Sequence, residues 1–193
     1  ANDGVNMVDP SGHYKVAEAI KREIKGMTKY TPEHRVFTSL YGFEKLKDII
    51  KKQVVKTWSP KRKKDFGGVN DYELLARTLY FESTSNNNSA KERRNEIVTF
   101  YKVVKARMKK GCFGGKTMRK VLLKSSQFCG LTNFKGKKES QRGYAKIKIN
   151  KKKIDLSWVR SVVVATVARL NSTGKYTSKL KYPDNNDYYF WHN

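Results

Sequence analysis

The stretch Asn70-Asp-Tyr-Glu-Leu-Leu-Ala-Arg-Thr-Leu-Tyr-Phe-Glu82 decides the reading of the fold. Tyr72, Leu75, Ala76, Leu79 and Tyr80 fall at i, i+3, i+4, i+7 and i+8, one face of a helix with its apolar side toward a core. Asn70 and Asp71 supply an N-cap, and Asp71 and Glu73 place negative charge in the first turn, where the helix dipole favours it. Glu82 closes the run at the opposite end, where the dipole disfavours an anion, and Tyr80 and Phe81 give it apolar walls. Both features are expected to favour a protonated carboxyl, the form that a general acid for glycosidic bond cleavage needs near neutral pH.

Downstream of this helix the polar run Ser83 to Ser89 reads as a loop. Helical pattern returns at Ala90 and carries Ile97, Phe100, Tyr101, Val104 and Met108 inward until Gly111. A short helix is expected at Thr117 to Lys124. Between Lys135 and Lys153 the chain is densely basic, and Tyr144-Ala-Lys-Ile-Lys-Ile-Asn150 alternates with period 2, the pattern of a half-exposed strand or hairpin. The last helix, Leu156 to Leu170, is the most apolar part of the chain and should be central. Upstream, Tyr14, Ala17, Ile20 and Ile24 predict a helix ending at Gly26. Phe43, Leu46, Ile49, Ile50, Val54 and Trp58 predict a basic amphipathic one that ends before Pro60. The run Ser59-Pro-Lys-Arg-Lys-Lys-Asp-Phe-Gly-Gly68 combines a helix stop, a charge block and a Gly pair. It predicts a basic helical extension over residues 1–66, accessory to a second unit over residues 67–193. The fold class expected is mainly α with a small hairpin.

The 193 residues are globular in composition, 38% hydrophobic and 12% aromatic, but 42 Lys and Arg against 17 Asp and Glu leave a net charge of +25. Such a balance points to a polyanionic partner: nucleic acid, an anionic membrane or a bacterial cell wall. Lys outnumbers Arg by 31 to 11, which favours diffuse adhesion over bidentate reading of bases. Cys112 and Cys129 with the scattered His13, His34 and His192 offer no metal-ligand spacing, so no metal or other cofactor is expected. No stretch reaches 18 apolar residues and the first 20 residues carry acids without an apolar run, so neither a membrane-spanning helix nor a retained signal peptide is expected.

Other chemistry competes poorly with Glu82. Asp71, Glu73, Glu92 and Glu96 sit at helix starts and Glu139 in the Lys-rich loop, all ordinary places for a carboxylate. Asp184 and Asp187 stand in a Pro-Asp-Asn-Asn-Asp run suited to turn formation. Neither cysteine has a histidine near it in sequence. Gly111-Cys-Phe-Gly-Gly-Lys-Thr117 fails the phosphate-loop spacing by one residue and follows no strand, so it reads as a turn.

The order of Leu75-Ala-Arg-Thr-Leu-Tyr-Phe-Glu82, the helix Ile97 to Met108, Val121-Leu-Leu-Lys-Ser-Ser-Gln127-Phe128, the helix Val159 to Leu170 and Asp187-Tyr-Tyr-Phe190 resembles the SleB/CwlJ cell wall hydrolase family. The resemblance spans about Asp71 to Asn193. It implies a lysozyme- or lytic-transglycosylase-like fold acting on peptidoglycan at the bacterial cell wall, with Glu82 as the catalytic glutamate. It further implies that Gln127 and Phe128, with Tyr189 and Phe190, line the glycan cleft. Where the family reads Glu-Ala-Arg-Gly-Glu, this chain reads Glu82-Ser-Thr-Ser-Asn86, and the Glu82-Ser83 pair is instead similar to that of lytic transglycosylases, so Ser83 joins the expected sugar contacts. With one well-placed glutamate, transglycosylation is the expected chemistry, because it needs no second carboxyl. The expectation is thus a phage-type lysin, endolysin or virion-associated. The rival is a nonenzymatic basic protein that binds nucleic acid or packs a virion through the 42 acid-free residues from Ile97 to Lys138.

Overall fold

A computed structural model describes residues 13–29, 32–55, 69–83, 89–125, 127–128 and 156–172. Every regular element among them is an α-helix: α1 (His13–Met27), α2 (Pro32–Val55), α3 (Asp71–Glu82), α4 (Ala90–Lys110), α5 (Met118–Leu122) and α6 (Leu156–Ser172). The mainly helical class is therefore as expected. The segment read as a hairpin, residues 144–150, lies outside the described residues.

Local chemistry sets the helix ends. The Asn70 side chain accepts from the backbone N–H of Tyr72 and Glu73 at 3.1 and 2.8 Å, capping α3. Ser89 and Glu92 form a reciprocal capping box on α4, whose other end closes on Gly111 in the left-handed region. Helix α2 starts earlier than the apolar spacing suggests, at Pro32, and is broken at Gly42, which has φ 74 and ψ 159. A residue without Cβ enters that region at no steric cost, and the break disrupts the 3.6-residue register across the two halves, which hides the first half from a periodicity reading.

Helix α6 is the centre of the molecule and packs against α1, α2, α3 and α4. Trp158, Val159, Val162, Val163, Val164, Ala165 and Val167 are all buried, so its apolar residues face neighbours nearly all round. Ile20, Ile24, Met27, Leu46 and Ile50 belong to the same buried cluster as Leu75, Val104 and Trp158. The helices that sequence places in an N-terminal extension thus share one core with α3 to α6. An ion triad ties them further: the buried Glu23 of α1 accepts from Arg160 of α6 at 2.8 Å and from Arg94 of α4 at 2.9 Å. Among the described residues no helix is long and apolar enough to cross a membrane.

Candidate active site

Helices α3 and α6 run antiparallel, because Tyr72 donates to the Ser172 hydroxyl at 2.5 Å at one end while Tyr80 meets Trp158 at the other. The Tyr80 and Trp158 rings are edge to face, with centroids 5.7 Å apart and planes at 86°. Phe81 packs edge-on against Tyr80 at 5.1 Å. Glu82, half-buried, is the last residue of α3 and follows Phe81 directly. Two helix ends act on that region in opposite senses: the carboxyl end of α3 disfavours an anion, whereas the amino end of α6 lies at the same end of the pair and favours one. The start of α4 joins them, since Arg93 donates to Ser157 Oγ at 3.0 Å.

Ser83 is buried, and its hydroxyl faces the Tyr80 carbonyl at 3.5 Å. It closes α3, a role that turns the hydroxyl toward the backbone rather than toward a sugar. Gln127 is half-buried and its backbone N–H donates to the Lys124 carbonyl at 3.3 Å. Phe128 departs from expectation. It has no exposed surface, its ring lies 5.0 Å from that of Phe100, and the Arg107 guanidinium sits 5.3 Å from its centroid. A ring covered in this way is a core group and offers no face for stacking on a sugar. Tyr189, Phe190, Asp184 and Asp187 lie outside the described residues.

The carboxylates read as structural mostly have partners. Glu73 accepts from Arg77 at 2.8 Å, Asp71 from Arg119 at 3.1 Å, and Glu92 sits in the capping box, whose hydrogen bonds from Ser89 hold its carboxyl below the usual range. Glu96 does not follow them. Its Oε2 is buried with no hydrogen-bond partner, and burial pushes its carboxyl pKa up despite the nearby Arg93. Sequence reasoning missed it, having taken any acid near a helix start as a dipole partner. The signal available was its position four residues before Phe100, on the α4 face that also carries the buried Val103 and Arg107. That stripe sets Glu96 one turn from the Phe100–Phe128 contact. Arg93, three residues before it, reaches the start of α6 beside Trp158. Glu82 closes α3 and Glu96 lies in the second turn of α4, both toward the end where α3, α4 and α6 meet.

Among the described residues no three His, Cys, Asp or Glu come together as a metal site. Comparison of the chain with protein-family models, with curated proteins and with solved structures gave no match.

Proposed function

We propose that the chain is a peptidoglycan-degrading enzyme, a phage-type endolysin or virion-associated lysin, that cleaves the β-1,4 bond between N-acetylmuramic acid and N-acetylglucosamine with Glu82. The observation that carries this reading is the setting of Glu82: a half-buried glutamate at the carboxyl end of α3, next in sequence to Phe81, whose ring packs on Tyr80 and through it on Trp158. Tyr80 and Phe81, both half-buried, keep ring surface beside Glu82 in sequence that suits the apolar faces of sugar rings. Glu82 gives its proton to the glycosidic oxygen as the bond from C1 breaks. The carboxylate so formed then takes the proton of the muramic 6-hydroxyl, whose oxygen adds to C1 and closes a 1,6-anhydro ring. Acid and base are the same group, so one glutamate suffices. Gln127, Tyr189 and Phe190 are proposed as sugar contacts on the strength of the family resemblance.

The net charge of +25 supports a wall-directed protein, since it draws the chain to an anionic surface before any specific contact forms. A zymogram tests the reading: the purified chain is expected to clear a peptidoglycan-containing gel, and Glu82→Gln is not. Absence of clearing by the folded parent protein would leave the rival, a nonenzymatic nucleic-acid-binding or virion-packing protein, in its place.

A further inference from the structure

The turn between α4 and α5 is built from glycines for a reason that concerns lysines. Gly111, Gly114 and Gly115 all have positive φ, at 75, 118 and 130. A Cβ on Gly111 would press on the Lys116 side chain at 3.3 Å, and one on Gly115 on that of Lys120 at 3.3 Å. At Gly114 a Cβ would collide with the Lys120 carbonyl oxygen and lie 3.2 Å from Lys124 Cβ. The glycines thus let the turn lie against Lys116, Lys120 and Lys124. A stem packed against a turn has less side-chain freedom to lose on binding, which holds here for Lys116 and Lys120.

Lys116, Lys120 and Lys124 are exposed, spaced at four-residue steps, and form no ion pair with any described residue. Exposed Lys109 and Lys110 end α4 immediately before the turn. No Asp or Glu occurs from Ile97 to Lys138, and Asp71, the acid that α5 does reach, is held by Arg119. Among the described residues, Lys116, Lys120 and Lys124 are three neighbouring cations without an ion-pair partner.

We propose that Lys116, Lys120 and Lys124 form a docking site for a linear, base-free phosphodiester polymer, a polyol phosphate of the cell wall. Nucleic acid fits the surface less well. Its recognition uses Arg forks on base edges or aromatic faces under unstacked bases. Here Arg119 is turned to the Val69 carbonyl and Asp71, and the Phe113 ring is covered by Arg107 with 4.5 Å between guanidinium and centroid. Five-residue α5 is too short to lie along a major groove. What remains is a row of point charges, which suits phosphates and reads nothing else. The choice of a wall polymer rests on the wall-directed reading above, but binding and cleavage are separable: loss of lysis in Glu82→Gln leaves this site intact.

The test uses the full chain, an end-labelled glycerol-phosphate oligomer and a single-stranded DNA of equal phosphate count, with fluorescence anisotropy read across a salt series. The triple variant Lys116→Gln, Lys120→Gln, Lys124→Gln is compared with Lys21→Gln, Lys25→Gln, Lys52→Gln, which removes the same charge from exposed positions on α1 and α2. The first triple is expected to weaken oligomer binding about a hundredfold at low salt. It should also flatten the slope of log K against log salt by about 2 to 3. The second triple should change little. Equal weakening by both triples would show that only total charge matters, and tighter binding of the DNA would hand the surface to nucleic acid; either result overturns the proposal. Lysine acetylation of the unmodified protein, read by mass spectrometry, gives an independent check. The oligomer should protect Lys116, Lys120 and Lys124 and leave Lys21 and Lys52 reactive, and uniform protection contradicts the site.

Discussion

Glu96 carries a carboxyl oxygen that is buried without a partner, and its proton is held more tightly in the folded chain than in the unfolded one. Because the folded pKa is raised, the contribution of Glu96 to stability is present below the unfolded carboxylate pKa and is lost as pH rises through the raised value. Glu96→Gln keeps the shape and stays neutral. Its melting temperature is expected to match the parent's near pH 4 and to exceed it at pH 7, which thermal unfolding at the two pH values measures. A gain of equal size at both would remove burial of charge as the cause. Under single-glutamate chemistry the folded Glu96→Gln still lyses walls; loss of lysis would make Glu96 a second carboxyl of the reaction. The place of Glu82 at the end of α3, after Tyr80 and Phe81, was legible in sequence because a helix end and two aromatic neighbours are local facts. The burial of Glu96 Oε2 and of the Phe128 ring depends on which distant residues close over them, and spacing along the chain does not carry that.

The helices α1 and α3 to α6 were legible from their apolar residues, with caps agreeing at α3, α4 and α5, while α2 was read only in its second half because Gly42 interrupts the register. The α4 start is the clearest local device. The Ser89 N–H donates to Glu92 Oε2 at 2.6 Å, and the Glu92 N–H donates to Ser89 Oγ at 3.3 Å. Ser89→Ala removes one half of the box and is expected to cost about 1 kcal/mol in urea unfolding. Glu92 has the opposite pH sign to Glu96: its carboxyl is held low by Ser89, so its contribution is present above the unfolded pKa and is lost as pH falls through the lowered value. Amide protection factors in the first turn of α4, which correct for the pH dependence of intrinsic exchange, should therefore fall on acidification in the parent and much less so in Glu92→Gln, which retains a side-chain acceptor that does not titrate. An equal fall in both chains would remove Glu92 as the cause.

Across the whole molecule, the charge block at residues 59–66 marks a change of composition, and the buried cluster extends across it. A boundary signal in sequence reports composition, whereas core membership follows from contacts such as those of Ile24 and Leu46, invisible without the fold. Glu23 binds α1 to both α4 and α6. Its removal strands two guanidinium groups, one buried and one nearly so, and Glu23→Ala is expected to cost about 3 to 5 kcal/mol. For the same reason a chain starting at Gly67 should lose its cooperative thermal transition, and an unchanged transition would restore residues 1–66 to the rank of an accessory unit. The central claim is that Glu82 cuts glycan by acid catalysis and returns as the base. Mass spectrometry of purified peptidoglycan digested by the parent chain and by folded Glu82→Gln tests it most directly. The parent should release fragments ending in 1,6-anhydromuramic acid and the variant none; fragments released equally by both chains would contradict it.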